Sequence, residues 1–114
     1  MVGVSRGDDV LCNFNPAVGT EQAGTRPAVV VQVDRANAKS PHTIVVPFTS
    51  KIRTVLLPSH AHVPAGAGGL TQDSVALCEQ VRVIDGRRVR KILGHLDRTH
   101  LAEVEKALRA ILGL

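Results

Sequence analysis

With 114 residues, the chain has room for one domain spanning 1–114 and none for a catalytic domain beside a separate binding domain. Apolar residues at 44% and charged residues at 21% exclude a disordered chain; no apolar run nears the ~18 residues that cross a bilayer and no export signal opens the sequence, so a cytoplasmic protein without membrane contact is expected. A net charge of +4 suits a polyanionic partner, while two phenylalanines and no Trp or Tyr exclude a binder that stacks bases on an aromatic platform.

The polar lead Arg6–Asp9 runs into a first apolar stretch, Val10 to Phe14, which reads as a strand stopped by Asn15-Pro16. Residues 15–27 hold two prolines and two glycines and form a long loop. Ala28 to Val33 is β-branched and reads as a central strand, Asp34 to Pro41 as a turn. Thr43 to Phe48 is a further strand in which Pro47 marks an edge or a bulge; alternation sets Ile44, Val46 and Phe48 on one face and Val45, Pro47 and Thr49 on the other. A short apolar run follows at 55–57, and His60 to Val63 alternates as an exposed strand with both histidines on one side. After a loop of small residues, Ser74–Cys78 and Gln80–Ile84 read as a strand pair or one bent strand, ended by the turn signal Asp85-Gly86. Leu101, Val104, Leu108, Ile111 and Leu112 recur at helical spacing, with Asp97 or Thr99 as the cap. Five or six short strands and one terminal helix predict a mostly β barrel rather than a parallel βαβ sheet.

Cys12 and Cys78 stand far apart and outside any CxxC pair, so they read as free buried thiols. His60 and His62 lack a third ligand at metal-site spacing, so no metal and no cofactor is expected. The basic cluster Arg87, Arg88, Arg90 and Lys91 fits a solvated face or a phosphate contact equally well. No GxSxG, P-loop or dinucleotide fingerprint occurs. What remains is Arg26 and Thr49-Ser50, each where a loop meets a β-branched strand, with Glu21-Gln22 in the same loop as Arg26. A guanidinium, a hydroxyl and a carboxylate brought together would suit phosphate-ester chemistry.

Taken in order, several segments resemble the MazF/PemK-type toxins of bacterial toxin–antitoxin systems. Arg6-Gly7-Asp8-Asp9-Val10 resembles that family's opening "RGDIV". Asn15 to Gln32 resembles "DPTxGSEQAGxRPAVVVQ", the most specific segment, and Pro47-Phe48-Thr49-Ser50 resembles "PITS". Gly69-Leu70, Asp73-Ser74-Val75 and Glu79-Gln80-Val81-Arg82 resemble "GL…DSV…EQIR"; Gly94-His95-Leu96 and the closing Val104 to Leu114 complete the match. Phe48 stands where an aliphatic residue is usual, and Cys78 at a position that is often aliphatic.

The resemblance implies an SH3-like β-barrel with a C-terminal α-helix, forming a homodimer. It implies a metal-independent endoribonuclease that cuts single-stranded RNA at a short sequence, and a cognate MazE-like antitoxin whose acidic, flexible segment blocks the RNA groove. Arg26 matches the family's catalytic arginine and Thr49 its second catalytic position; Glu21 is the candidate base or the group that orients Arg26. Gln22, Ser50, Lys51, Gln80, Arg82 and Arg88 are the candidate substrate-binding residues. Two other readings stay open from the residues: a non-enzymatic topoisomerase poison of the CcdB type, and a plain RNA-binding barrel.

Overall fold

Val29, Val30, Val45 and Val46 stand at the centre of one antiparallel ladder and send their branched side chains alternately to its two faces. The computed structural model describes residues 3–52 and 56–114. It comprises β1 (Asp8–Asn13), β2 (Thr25–Val30), α1 (Asp34–Asn37), β3 (His42–Thr49), β4 (His60–Val63), β5 (Ser74–Leu77), β6 (Arg82–Asp85), β7 (Val89–His95) and α2 (Arg98–Leu112). The apolar run expected at 55–57 falls partly outside the described residues.

The strands form one antiparallel sheet in the order β4-β5-β3-β2-β1-β7, with β6 also paired to β3. The fold is the mostly β, SH3-like one expected, with α2 at the C-terminal end. One face of the sheet packs Val29, Val46, Phe48, Val63 and Leu96 beneath Val104 and Ala107 of α2. The other packs Val10, Cys12, Phe14, Ala28, Val30, Val45 and Ile84. The alternation expected for β3 therefore holds for Val46 and Phe48 against Val45.

Two expectations need correction along β3. Segments 74–78 and 80–84 are neither a pair nor one bent strand: β5 and β6 both hydrogen-bond to β3, β6 opposite His42–Val45 and β5 opposite Phe48–Thr49. A 3₁₀ turn, Cys78–Gln80, carries the chain between them. Pro47 accordingly marks neither an edge nor a bulge: it sits in the interval between those two partners, where β3 can spare an N–H.

Other boundaries move by a few residues. β1 and β2 each begin and end earlier than the apolar runs suggest, because the pairing continues through Pro27 opposite Leu11 to Thr25 opposite Asn13. The 34–41 turn contains the short helix α1, whose Asn37 is buried and accepts hydrogen bonds from Gln32 at 2.9 Å and Thr43 at 2.7 Å. Residues 89–95, expected only as a basic cluster at their start, form β7 against β1. Asp97 is the α2 cap, accepting the His100 N–H at 2.8 Å. Cys12 and Cys78 are free and buried, and burial pushes both thiols up to about 12.

The Arg6-Gly7-Asp8 lead is a corner post. Arg6 donates to Val31 O at 3.1 Å and pairs with Glu105 of α2 at 2.5 Å. Gly7, at φ 93°, lies against the His95 ring, and Asp8 Oδ1 accepts a hydrogen bond from that ring at 3.0 Å. The sheet then curls until its two ends meet without a shared ladder. The turn after β4 lies directly on β7: a Cβ at Gly69 would stand 2.2 Å from Leu93 O, and one at Gly94 2.5 Å from Gly68 O. Only glycine permits so close a backbone approach.

Asp9 is buried beside this seam, and neither carboxylate oxygen has a hydrogen-bond partner among the described residues. Burial, with a smaller contribution from Asp8, pushes its carboxyl up to about 8 from 3.8. Its proton is held by the folded chain and released by the unfolded one, so its contribution to stability is complete below pH 3.8 and lost as pH rises towards 8. Within that window the slope reaches about 1.4 kcal/mol per pH unit. Asp9→Val is expected to melt higher than the parent at pH 8 and to show a flatter dependence of Tm on pH between 4 and 8, by calorimetry; parallel curves for the two proteins would contradict the assignment.

Candidate active site

Where β5 and β6 part company along β3, the surface opens into a groove of about 660 Å³. Its walls are Pro47 and Thr49 of β3, the Cys78–Gln80 turn with the start of β6, and the loop residues Thr20 to Gln22. Phe14 lies at one side with the Arg82 guanidinium 5.6 Å above its ring, a cation–π pair that holds Arg82 over the groove.

The loop is fastened by one side chain. Gln80 accepts the Gln22 N–H at 2.8 Å and donates to Thr20 O at 3.3 Å, so both ends of its amide are spent on loop backbone. Within the loop the Glu21 carboxylate accepts the Val18 N–H at 2.6 Å, closing a tight turn with one oxygen and leaving the other. Thr49 Oγ1 accepts the Lys51 N–H at 3.2 Å and so fixes the chain as it leaves β3.

The candidates divide between two hollows. Thr49, Glu21, Gln22, Lys51, Gln80 and Arg82 share the large groove. Arg26 and Ser50 line a smaller hollow of about 90 Å³ with Phe48, Gln72 and Ser74. Arg26 is the second residue of β2 and Thr49 the last of the antiparallel β3; continuing the Ala28–Pro47 register by two residues sets them opposite each other. The Arg26 Nε donates to Ala23 O at 2.6 Å, which leaves the terminal nitrogens for a ligand. Arg88 lines neither hollow: its guanidinium donates to Asn13 O at 3.2 Å and to Asn15 O, pinning the end of β1.

Sequence reasoning missed one pair in the groove. His60 Nε2 lies 3.0 Å from Glu79 Oε2, and His60 Nδ1 accepts the Leu57 N–H at 3.3 Å. Both residues line the groove. The alternation of 60–63 predicts His60 as an exposed strand position; its side chain is instead 8% exposed, and no linear spacing joins it to a carboxylate nineteen positions on. The signal that could have found it is the β4–β5 register, His60 opposite Leu77, followed by the turn that brings Glu79 back. His62, on the same strand face, is exposed.

The model of the PemK-like, MazF-like toxins of type II toxin–antitoxin systems matches residues 5–112. The chain belongs to this family. Endoribonuclease EndoA of Bacillus subtilis (strain 168) is 40% identical over 111 residues, covering 97% of this chain and 96% of that protein. The crystal structure of MazF (Form-I) from Deinococcus radiodurans is 32% identical and superposes with a TM-score of 0.82, covering 97% of each chain. A MazE-MazF structure (Form-III) from the same organism is 29% identical with a TM-score of 0.77, again over 97% of each chain.

In this MazF-like toxin the Gln80 side chain is thus the tie between the 20–22 loop and the groove wall. Gln80→Ala is expected to cost about 1–2 kcal/mol for two partly exposed hydrogen bonds and to speed hydrogen exchange of the Gln22 amide about tenfold, while leaving the β1–β2 amides unchanged. Unaltered exchange at Gln22 would show that the loop is held elsewhere.

Proposed function

We propose that this chain is an endoribonuclease toxin, a single catalytic domain that cuts single-stranded RNA in the cytoplasm without a metal ion and is held in check by a cognate antitoxin. What supports the reading is the antiparallel pairing of β2 with β3, whose register, continued by two residues, sets Arg26 opposite Thr49 beside a groove large enough for nucleotides. Membership of the toxin family and the 40% identity to an endoribonuclease support it.

The chemistry follows from these groups. The ribose 2′-oxygen attacks the adjacent phosphorus while the bond from phosphorus to the 5′-oxygen breaks. The 2′-hydroxyl gives up its proton, the departing 5′-oxygen gains one from solvent water, and the products carry a 2′,3′-cyclic phosphate and a 5′-hydroxyl. Between them lies a phosphorane with added negative charge. The Arg26 guanidinium, a permanent cation with a fork of donors, neutralises that charge; it stays protonated and does not act as a base. The Thr49 hydroxyl donates to a non-bridging oxygen. The second Glu21 oxygen, free of the Val18 turn, accepts the 2′-hydroxyl proton. Lys51 and Arg82 hold the flanking phosphates, with Gln22 and Ser50 beside the bound strand.

The antitoxin partner is read as an acidic, flexible segment that competes with RNA for this basic chain. Among the exposed apolar side chains, Ile92, Ile111, Leu112 and Leu114 are candidates for a homodimer contact.

Purified protein incubated with a long RNA and a chelator is expected to yield discrete fragments with 5′-hydroxyl ends. Arg26→Ala should lower the rate by about 10²–10³-fold, the loss typical of one oxyanion donor, and Thr49→Ala by about 10-fold. Both variants should melt near the parent, since neither side chain is buried in the core. Intact RNA with folded parent protein overturns the proposal; DNA damage on expression, with RNA undegraded, would mark a topoisomerase poison instead.

A further inference from the structure

The polar groups of the groove are mostly committed. Gln80 straps the loop, Thr49 and one oxygen of Glu21 close local turns, and Lys51 and Arg82 are the cations that a phosphodiester chain would seek. Glu79 is different. One of its oxygens is held by His60 at 3.0 Å, and among the described residues Oε1 has no partner in the chain. The His60 side chain is 8% exposed and its tautomer is fixed: Nδ1 accepts from the Leu57 amide, so Nε2 carries the hydrogen given to Glu79. The result is an immobilised carboxylate, about one-third exposed at 35%, in the wall of a groove meant for a polyanion.

A carboxylate there repels phosphates. Its favourable contacts on RNA are with hydrogen donors: the ribose 2′-hydroxyl, which is the same at every nucleotide, and the N–H groups of the bases, which alone differ with sequence. Adenine, cytosine and guanine each offer an exocyclic amino group. Uracil flanks its single ring N–H with two carbonyl oxygens, which a carboxylate repels. We infer that Glu79, positioned by His60, reads one base of the target, accepting a hydrogen bond from an amino-bearing base and disfavouring uracil at that one place. This inference rests on the ribonuclease reading above and names a specificity residue for it, with His60 as a positioning residue that acts through Glu79.

The test is 5′-end mapping on an RNA of mixed sequence, with the full chain as parent, Glu79→Gln, His60→Ala and His60→Gln, each checked for folding by thermal melting. The parent should show one position where amino-bearing bases outnumber uracil by about 10-fold or more, the discrimination expected of a base-edge contact. Glu79→Gln keeps the shape and an acceptor for His60 but loses the charge; it should admit uracil at that position within about 3-fold of the other bases while still cutting RNA. His60→Ala should loosen the same position, and His60→Gln, whose amide can still donate to Glu79, should restore it. If the parent cuts RNA and Glu79→Gln keeps the same preference at every position, the inference fails and the ribonuclease reading stands. If folded Glu79→Gln cuts nothing, Glu79 belongs to the chemistry and the inference fails. If His60→Ala does not fold, the Glu79→Gln comparison decides alone. If the parent leaves RNA intact, the ribonuclease reading falls and this one with it.

Discussion

One edge of β3 serves two strands, and the groove exists because of it. A strand of eight residues is long enough to pair with β6 over its first half and with β5 at its end. The chain between those partners has to leave the sheet and return, and it does so in the single 3₁₀ turn Cys78–Gln80. That turn presents Glu79 and Gln80 outward while burying Cys78 in the core. Position within the pairing pattern, rather than any run of polar sequence, therefore puts functional groups on the wall.

The same turn links two otherwise separate parts of the site. Its Gln80 reaches across to the loop that carries Glu21, and its Glu79 reaches back to His60 at the start of β4. Three segments far apart in sequence are thereby held at fixed separation by hydrogen bonds of ordinary length. The charge balance is equally local. Glu21 and Glu79 face Lys51 and Arg82 across the groove, so attraction for a polyanion comes from the excess of cations over the whole chain more than from the groove lining.

Much of this was legible in the residues, for identifiable reasons. The β-branched runs at 28–31 and 43–48 announce strands because two buried faces leave Thr43 as the one polar residue among them, its hydroxyl donated to Asn37. The helix announces itself through its period and the Asp97 cap. β7 was not legible, because Arg90, Lys91 and Ile92 are consecutive exposed residues and the register slips twice against β1, which destroys the alternation that would identify a strand. Arg26 and Thr49 stood out through the resemblance of their motifs, since two strand ends 23 residues apart carry no sign of adjacency until the ladder of β2 and β3 is known. Arg88 looked like a ligand for phosphate; it is bound instead to the carbonyls that end β1, a role that depends on β7 lying beside β1.

The meeting of Gly68 and Gly69 with Leu93 and Gly94 separates what such a molecule can vary from what it cannot. Side chains along the groove line an open hollow, where one can be exchanged for another without a backbone clash. At the meeting of the glycines no side chain of any kind fits, so variation along the groove must proceed around a closure that admits a single amino acid. A fold built this way can change the lining of its groove without renegotiating how its two ends are joined.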